Sequence, residues 1–192
     1  MLFLKKWYIV DYACIFGNFI TVPIHVGFDD KNIEHILDHG ELVGLFCSLK
    51  QLTRFINMIS ANSFPKLLKY LFLMDENATL TPEQKSICVS QQIQVYNLQQ
   101  LGEIGVKRPR TIEPLGETEM VSILYTSGST GVPKGSITSN EQLNRYFVRI
   151  YRLFHPLVTL SYAPLSHGMQ RIDSFITVGV GGRIGLFAGV NF

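Results

Sequence analysis

The 192-residue sequence contains little cysteine, little charge and no long uninterrupted apolar run. Its three cysteines, Cys14, Cys47 and Cys88, lie far apart, are odd in number and lack the spacing of metal ligands. This pattern argues against a disulfide framework and indicates reduced, mostly buried thiols of an intracellular protein. No stretch reaches the roughly 18–20 apolar residues that a membrane-spanning helix needs. Asp11 interrupts the apolar run near the N-terminus, which argues against a signal peptide.

The charge of the chain is low and evenly spread. Charged residues make up 17% of the sequence and the net charge is +2, while 46% of the residues are hydrophobic, as in a globular domain or one lobe of a larger protein. The densest basic stretch, Lys107, Arg108 and Arg110, is flanked by Glu103 and Glu113. We interpret this stretch as a solvated linker and expect no nucleic-acid partner.

Helical and strand-like patterns alternate along the chain, which predicts an α/β fold with a largely parallel sheet and helices on both faces. Asp30 is the expected cap of the second helix and Gly40 its expected end. The predicted helices cover 6–17, 31–38, 48–60, a short stretch from 82, and 141–154; the predicted strands cover 19–24, 42–46, 68–74 and 121–125. The apolar stripe of the last helix consists of Leu143, Phe147, Ile150, Tyr151 and Phe154.

The segment with the clearest chemical content is YTSGSTGVPKG at 125–135, directly after a predicted apolar strand. Its glycines permit positive φ, so that successive N–H groups can converge on one anion, and its hydroxyls add donors. Lys134 supplies a positive charge that can follow a polyphosphate. Only two residues separate Gly128 from Gly131, and Gly135 follows the lysine, so the segment does not fit the Walker A pattern.

This segment resembles the signature loop of the adenylate-forming (AMP-binding) enzymes, which include acyl-CoA synthetases, luciferases and peptide-synthetase adenylation domains. The resemblance implies that the loop surrounds the β- and γ-phosphates of ATP. By position, the ATP-binding residues would be Thr126, Ser127, Gly128, Ser129, Thr130, Gly131 and Lys134.

Two further segments resemble the long-chain fatty acid–CoA ligases. Residues 7–48 contain an ACxxxG element, a TVPI segment and an IEHILDH helix. Residues 160–171 (LSYAPLSHGMQR) are similar to a family block of the form LPLAHxFER, in which His167 and Arg171 take the matching places beside the acyl and adenylate pocket. The block departs from that form at Ser166, Gly168 and Gln170, which bears on acyl-chain preference more than on ATP binding.

The resemblance implies a parent enzyme that joins a fatty acid to the α-phosphate of ATP, releases pyrophosphate and passes the acyl group to CoA, with Mg²⁺ as the expected ion. Residues 1–192 would form a partial N-terminal AMP-binding domain, with the C-terminal part and its mobile domain absent. We therefore expect no catalytic lysine within the chain. The implied location is intracellular, in the cytoplasm or on the cytosolic face of endoplasmic reticulum, mitochondrial or other membranes, with peripheral membrane association.

Two other hypotheses stay open, namely a non-catalytic nucleotide-binding remnant and an adenylation enzyme of a luciferase-like or peptide-synthetase branch.

Two minor motifs also occur in the sequence. His35 and His39 lie four residues apart on a predicted helix, but no third metal ligand is evident, which favours an exposed polar face. The segment 179–185 fails as a dinucleotide fingerprint because Ile184 replaces the third glycine. It predicts a tight turn before a strand.

Overall fold

The computed structural model describes residues 2–61, 67–127, 131–151 and 157–187. The chain divides into two compact units. The first unit is discontinuous and comprises Met1–Gly27 and Ile112–Phe192, whereas the second comprises the intervening Phe28–Thr111. Each unit contains both helices and strands, as the predicted α/β class requires.

Seven helices and seven strands occur within the described residues. The helices are α1 (Leu2–Phe16), α2 (Asp30–His39), α3 (Leu49–Ser60), α4 (Pro82–Ser90), α5 (Leu98–Lys107), α6 (Asn140–Tyr151) and α7 (Gly168–Gly179). The strands are β1 (Gly44–Cys47), β2 (Tyr70–Leu73), β3 (Gln94–Asn97), β4 (Met120–Thr126), β5 (Lys134–Ser139), β6 (Val158–Ser161) and β7 (Arg183–Leu186).

The second unit contains a three-stranded parallel sheet in the order β1-β2-β3. The central strand is the most buried, with Leu71 and Leu73 at 0% and 1% exposure. Aromatic side chains stack across the sheet, with ring centroids 4.4 Å apart for Phe46 and Phe72 and 6.2 Å apart for Phe72 and Tyr96. The parallel register of these strands confirms the predicted parallel arrangement for this unit, and the buried central strand is typical of such sheets.

Polar caps define where the helices of the second unit begin. The Asp29 side chain accepts the N–H of Asn32 at 2.8 Å, so the cap of α2 is Asp29 and not the predicted Asp30. The reason is geometric, because the capping residue precedes the first helical residue and has extended backbone angles. Thr81 with Gln84 forms a reciprocal capping box on α4, and Asn97 with Gln100 forms one on α5.

The first unit contains an antiparallel β4–β5 hairpin and a parallel β6–β7 pair. The loop after β4 thus joins two antiparallel neighbours, whereas the isolated bridge from Thr21 to Ser122 of β4 is parallel. The predicted strand at 19–24 is reduced to a single bridge between Thr21 and Ser122. Pro23 has no N–H, so it cannot donate to a ladder that would extend the bridge.

Other boundaries differ from the sequence expectations. Strand β3 and helix α5 were not predicted, and Lys107 ends α5 and does not belong to a linker. Leu143 and Phe147 of the predicted apolar stripe are half-buried on α6. The remaining stripe residues, Ile150, Tyr151 and Phe154, have side chains outside the described part of the chain.

Two glycines that follow the end of α7, Gly181 and Gly182, reverse the chain toward β7. Gly181 has φ 71°, its N–H donates to the carbonyl of Val178 at 2.9 Å, and the N–H of Gly182 donates to that of Thr177 at 2.8 Å. This pair of bonds is the Schellman motif, which satisfies the last carbonyls of a helix. The tight turn predicted for this segment is confirmed.

Within the described ranges, no helix combines the length and apolarity that crossing a bilayer requires.

We predict that Gly182→Ala lowers the free energy of unfolding by about 1–3 kcal/mol, the usual cost of overpacking. A Cβ there would collide with the carbonyl oxygen of Leu157 and would lie 2.8 Å from that of Thr177. Gly185→Ala is the matched control, since its Cβ would lie 3.5 Å from the nearest atom. Denaturant titration followed by circular dichroism measures both losses, and equal losses would contradict the prediction.

Candidate functional site

The glycine- and hydroxyl-rich loop joins the two strands of the β4–β5 hairpin. Thr126, the last residue of β4, pairs directly with Lys134, the first residue of β5. Directly opposed residues of an antiparallel pair place their side chains on the same face about 5 Å apart at Cβ. The hairpin therefore brings the loop's lysine next to its first hydroxyl, although the two residues are eight positions apart in sequence.

The described loop residues are exposed, whereas the residues that anchor the loop are buried. Thr126, Ser127, Gly131 and Lys134 are all exposed, and Gly131 has φ 82°. Tyr125 is 7% exposed and lies at the strand end of the loop. A positive φ costs glycine almost nothing and other residues considerably more, so Gly131 is suited to this turn. The predicted phosphate-binding residues Gly128, Ser129 and Thr130 lie outside the described residues.

Gly135 is required by packing across the hairpin. A Cβ at this position would lie 2.8 Å from Cγ2 of Ile123 and 3.2 Å from Cζ of Tyr125. The absence of a side chain thus allows the Tyr125 ring to cover the strand opposite. Burial raises the pKa of the Tyr125 phenol, so this ring remains neutral beside the loop.

His167 occupies the N-cap of α7 and is exposed. Its backbone N–H donates to the carbonyl of Pro164 at 2.9 Å, and its own carbonyl accepts the N–H of Arg171 at 3.1 Å. The imidazole makes no capping bond to the helix. Histidine is not a favoured capping residue, and its exposed ring is free of this local structural task.

Arg171 is buried, at 2% exposure, one turn after His167. Its Nη2 donates to Oδ1 of Asp11 at 2.6 Å and to Oγ1 of Thr21. Its guanidinium carbon lies 5.3 Å from the centroid of the Phe175 ring. Nε and Nη1 have no hydrogen-bond partner among the described residues. The charge of Arg171 is thus engaged by Asp11 on α1, and its predicted place beside an acyl pocket stays a prediction.

The electrostatics of this pair are dominated by loss of water. Burial raises the pKa of Asp11, and the attraction of Arg171 opposes that shift. Burial also lowers the pKa of Arg171, again against the attraction of Asp11. Both directions indicate that desolvation exceeds the attraction between the two charges. Nearby, burial raises the pKa of Cys14 to about 11, so its thiol stays protonated and is a poor nucleophile.

Thr21 connects this ion pair to the hairpin. The N–H of Thr21 donates to the carbonyl of Val121 at 3.1 Å, and the N–H of Ile123 donates to the carbonyl of Thr21 at 2.9 Å. Arg171 therefore joins α7, α1 and the strand that leads into the loop. Sequence reasoning missed this junction. Its one signal was Asp11, an acidic residue within an apolar helical run, which requires a buried partner.

The family comparison agrees with the loop and with the residues around it. The family described as AMP-binding enzyme matches residues 5–192. The chain belongs to the AMP-binding enzyme family. Among curated AMP-binding relatives, the chain is similar to the peroxisomal long chain acyl-CoA synthetase 6 of Arabidopsis thaliana, with 26% identity over 97% of this chain. It is 24% identical, over 96% of its length, to long-chain-fatty-acid–CoA ligase 5 of Rattus norvegicus.

The chain spans only about a quarter of these AMP-binding relatives, namely 26% of the plant protein and 28% of the rat protein. Among solved structures, it is similar to the A-PCP didomain of carboxylic acid reductase from Segniliparus rugosus in complex with AMP, with a TM-score of 0.76 at 21% identity. That match covers 96% of this chain and 28% of the other. A luciferase from Phrixothrix hirtus gives 0.68 at 17% identity, over 96% of this chain and 35% of its own. These likenesses establish the fold.

No cluster of three or more His, Cys, Asp or Glu side chains suited to a metal ion occurs in the part of the AMP-binding chain that the structure describes. The rings of His35 and His39 on α2 are tilted by 30° to each other, with centroids 5.2 Å apart. Their proximity follows from the i, i+4 spacing on a helix. Among the described residues, the polar side chains at the loop are those of Thr126, Ser127 and Lys134, and no cluster suited to a metal ion is present.

We predict that Asp11→Leu lowers the free energy of unfolding by about 3–5 kcal/mol, because it leaves the Arg171 guanidinium buried without a counter-ion. The double variant Asp11→Leu, Arg171→Met removes both desolvated charges and should lose less than the single variant. Glu141→Gln is the control, since it breaks the exposed 2.6 Å pair with Arg145. It should cost less than about 0.5 kcal/mol.

Denaturant unfolding of the unchanged chain, Asp11→Leu, Arg171→Met and the double variant gives the coupling between the two positions. A double variant that loses more than Asp11→Leu alone would show that the two buried groups contribute independently. That result would contradict the ion-pair interpretation.

Proposed function

We propose that the protein containing this chain is an ATP-dependent ligase that activates a long-chain fatty acid. A carboxylate oxygen of the acid attacks the α-phosphorus of ATP, the acyl–phosphate bond forms, and the bond to the β-phosphate oxygen breaks to release pyrophosphate. The thiol of CoA then attacks the acyl carbonyl and displaces AMP. The observation that carries the proposal is the YTSGSTGVPKG segment between β4 and β5, in which Thr126, Ser127 and Lys134 are exposed.

The hairpin geometry supports a polyphosphate ligand. Thr126, Ser127 and Lys134 are exposed at one end of the hairpin, and Gly131 provides a positive φ that lets loop N–H groups turn toward one point. The leaving group of the first step is pyrophosphate, whose charge increases as the bond to the α-phosphorus breaks. Donors held in place before the reaction stabilise that charge without reorganisation in the transition state.

Mg²⁺ would neutralise part of the polyphosphate charge in such a site. This ion prefers oxygen ligands, keeps several waters and is commonly bound through substrate phosphates with only one or two protein groups. The exposed Thr126 and Ser127 hydroxyls would supply oxygen ligands of the kind that such an ion accepts.

The choice of a long-chain fatty acid is supported by sequence likeness across both units. The relatives named above are long-chain acyl-CoA synthetases and match 96–97% of this chain at 24–26% identity. Within the first unit, the exposed His167 is the group that we propose to contact the acyl or adenylate ligand. Arg171, which is paired with Asp11, would act by holding the start of α7.

The proposal predicts which acids support adenylation. The longest natural polypeptide that contains this sequence should catalyse exchange of labelled pyrophosphate into ATP only when a carboxylic acid is supplied. We expect exchange with C16–C18 fatty acids and little with acetate, with amino acids or with luciferin. Exchange with amino acids or luciferin instead would assign the protein to another adenylating branch, and ATP binding without exchange would indicate a non-catalytic remnant.

We predict that Lys134→Ala raises the KM for ATP in this exchange by about 10–100-fold, equivalent to about 1.4–3 kcal/mol of lost phosphate contact. The KM for the fatty acid should change much less, because the lysine lies at the phosphate loop. Lys85→Ala removes an exposed lysine from α4 and serves as the matched control. Equal effects of the two substitutions would contradict a phosphate role for Lys134.

A further inference from the structure

Gln170 is a buried amide that holds the segment between β6 and α7. It is 5% exposed and lies in the first turn of α7. Its Oε1 accepts the backbone N–H of Tyr162 and the N–H of Ala163, each at 3.2 Å. These two residues are the first after β6, so one side-chain oxygen fixes the direction in which the chain leaves the sheet.

The other end of the same segment is fixed as well. Leu165 is fully buried, and the His167 N–H donates to the carbonyl of Pro164 at 2.9 Å. The segment 162–167 therefore has an amide contact at its start, an apolar anchor in its middle and a turn at its end. Its last residue is the exposed His167.

The orientation of Gln170 is itself set by a buried network that includes α1. Its Nε2 donates to Oγ of Ser174 at 3.5 Å, and that hydroxyl donates to the backbone carbonyl of Gln170 at 2.7 Å. The Tyr8 hydroxyl donates to Oγ of Ser161 at 2.9 Å and lies 2.7 Å from Oγ of Ser174. A carboxamide can accept from the segment and donate to Ser174 at once, and a glutamate at this position would keep the acceptor while its second oxygen accepts the Ser174 hydroxyl proton instead.

We propose that Gln170 is a positioning residue for the acyl-binding segment 162–167 and thereby sets the affinity for the fatty acid. The inference rests on the proposed function, in which His167 contacts the acyl or adenylate ligand. Tyr162 has an exposed side chain, at 75%, so water can replace a lost acceptor near this N–H. Loss of the Gln170 oxygen should therefore loosen the segment without unfolding the protein.

Three substitutions at Gln170 test whether the acceptor oxygen or the size of the side chain holds the segment. Gln170→Met keeps the length but removes the strong acceptor, and Gln170→Asn keeps the amide but withdraws it by one methylene. Gln170→Glu keeps an oxygen in the same place. The control is Gln84→Met, which removes an amide oxygen that accepts the backbone N–H of Thr81 at 3.0 Å in the second unit.

In the longest natural polypeptide, pyrophosphate exchange should show a rise on the order of tenfold in the KM for the fatty acid with Gln170→Met and Gln170→Asn. The KM for ATP should change less than about threefold, and Gln170→Glu should stay within about threefold of the unchanged protein in both constants. Gln84→Met should leave both constants unchanged. Parallel rises in the two KM values, or equal effects of Met and Glu, would overturn the proposal.

Hydrogen exchange of the peptide covering 162–167, measured without ligands, provides a readout that does not depend on activity. We expect faster exchange on the order of tenfold in Gln170→Met and near-normal exchange in Gln170→Glu. Unchanged exchange in Gln170→Met would refute the positioning role. Absence of acid-dependent pyrophosphate exchange in the unchanged protein, together with the expected hydrogen-exchange pattern, would refute the proposed function and the acyl role while leaving the Gln170 contact established.

Discussion

The ion pair between Asp11 and Arg171 is the constraint on which the first unit depends. Both side chains are almost fully buried, and they come from helices at opposite ends of the chain. Burial raises the pKa of Asp11 and lowers that of Arg171 in spite of their mutual attraction, so the pair carries a large desolvation cost. Its effect is orientation, because a guanidinium held by one carboxylate and by Thr21 permits one arrangement of α1, α7 and β4.

The same junction relates the two segments to which we assign ligand binding. Thr21 forms the bridge to β4, whose last residue begins the glycine-rich loop, and Arg171 lies one turn after His167. A shift of α7 would therefore move His167 and strain the contact to β4 together. In the proposed ligase the acid and the nucleotide must meet at one phosphorus atom, and shared support of their binding segments provides the necessary precision.

Local signals in the sequence predicted several helices, namely α1, α2, α3, α4 and α6, and non-local pairing accounts for part of what they missed. Ser48, Pro82 and Gly40 mark helix ends through contacts within a few residues, so their roles are visible without the fold. Strand β5 (KGSITS) is mostly exposed and lacks apolar alternation, so only its pairing with β4 makes it a strand. The partner of Arg171 lies 160 positions away, and no local pattern could name it.

The discontinuity of the first unit has a consequence for synthesis. Helix α1 is synthesised well before its partners, because the residues that Tyr8 and Asp11 contact lie on β6 and α7, 153 to 166 positions later. At 5–20 residues per second the ribosome needs roughly 8–32 s to supply them. The second unit, with its own local core, is complete long before then. During that interval Tyr8 and Asp11 lack the partners that they contact in the folded unit, so the packing of α1 has to wait until α7 has been made.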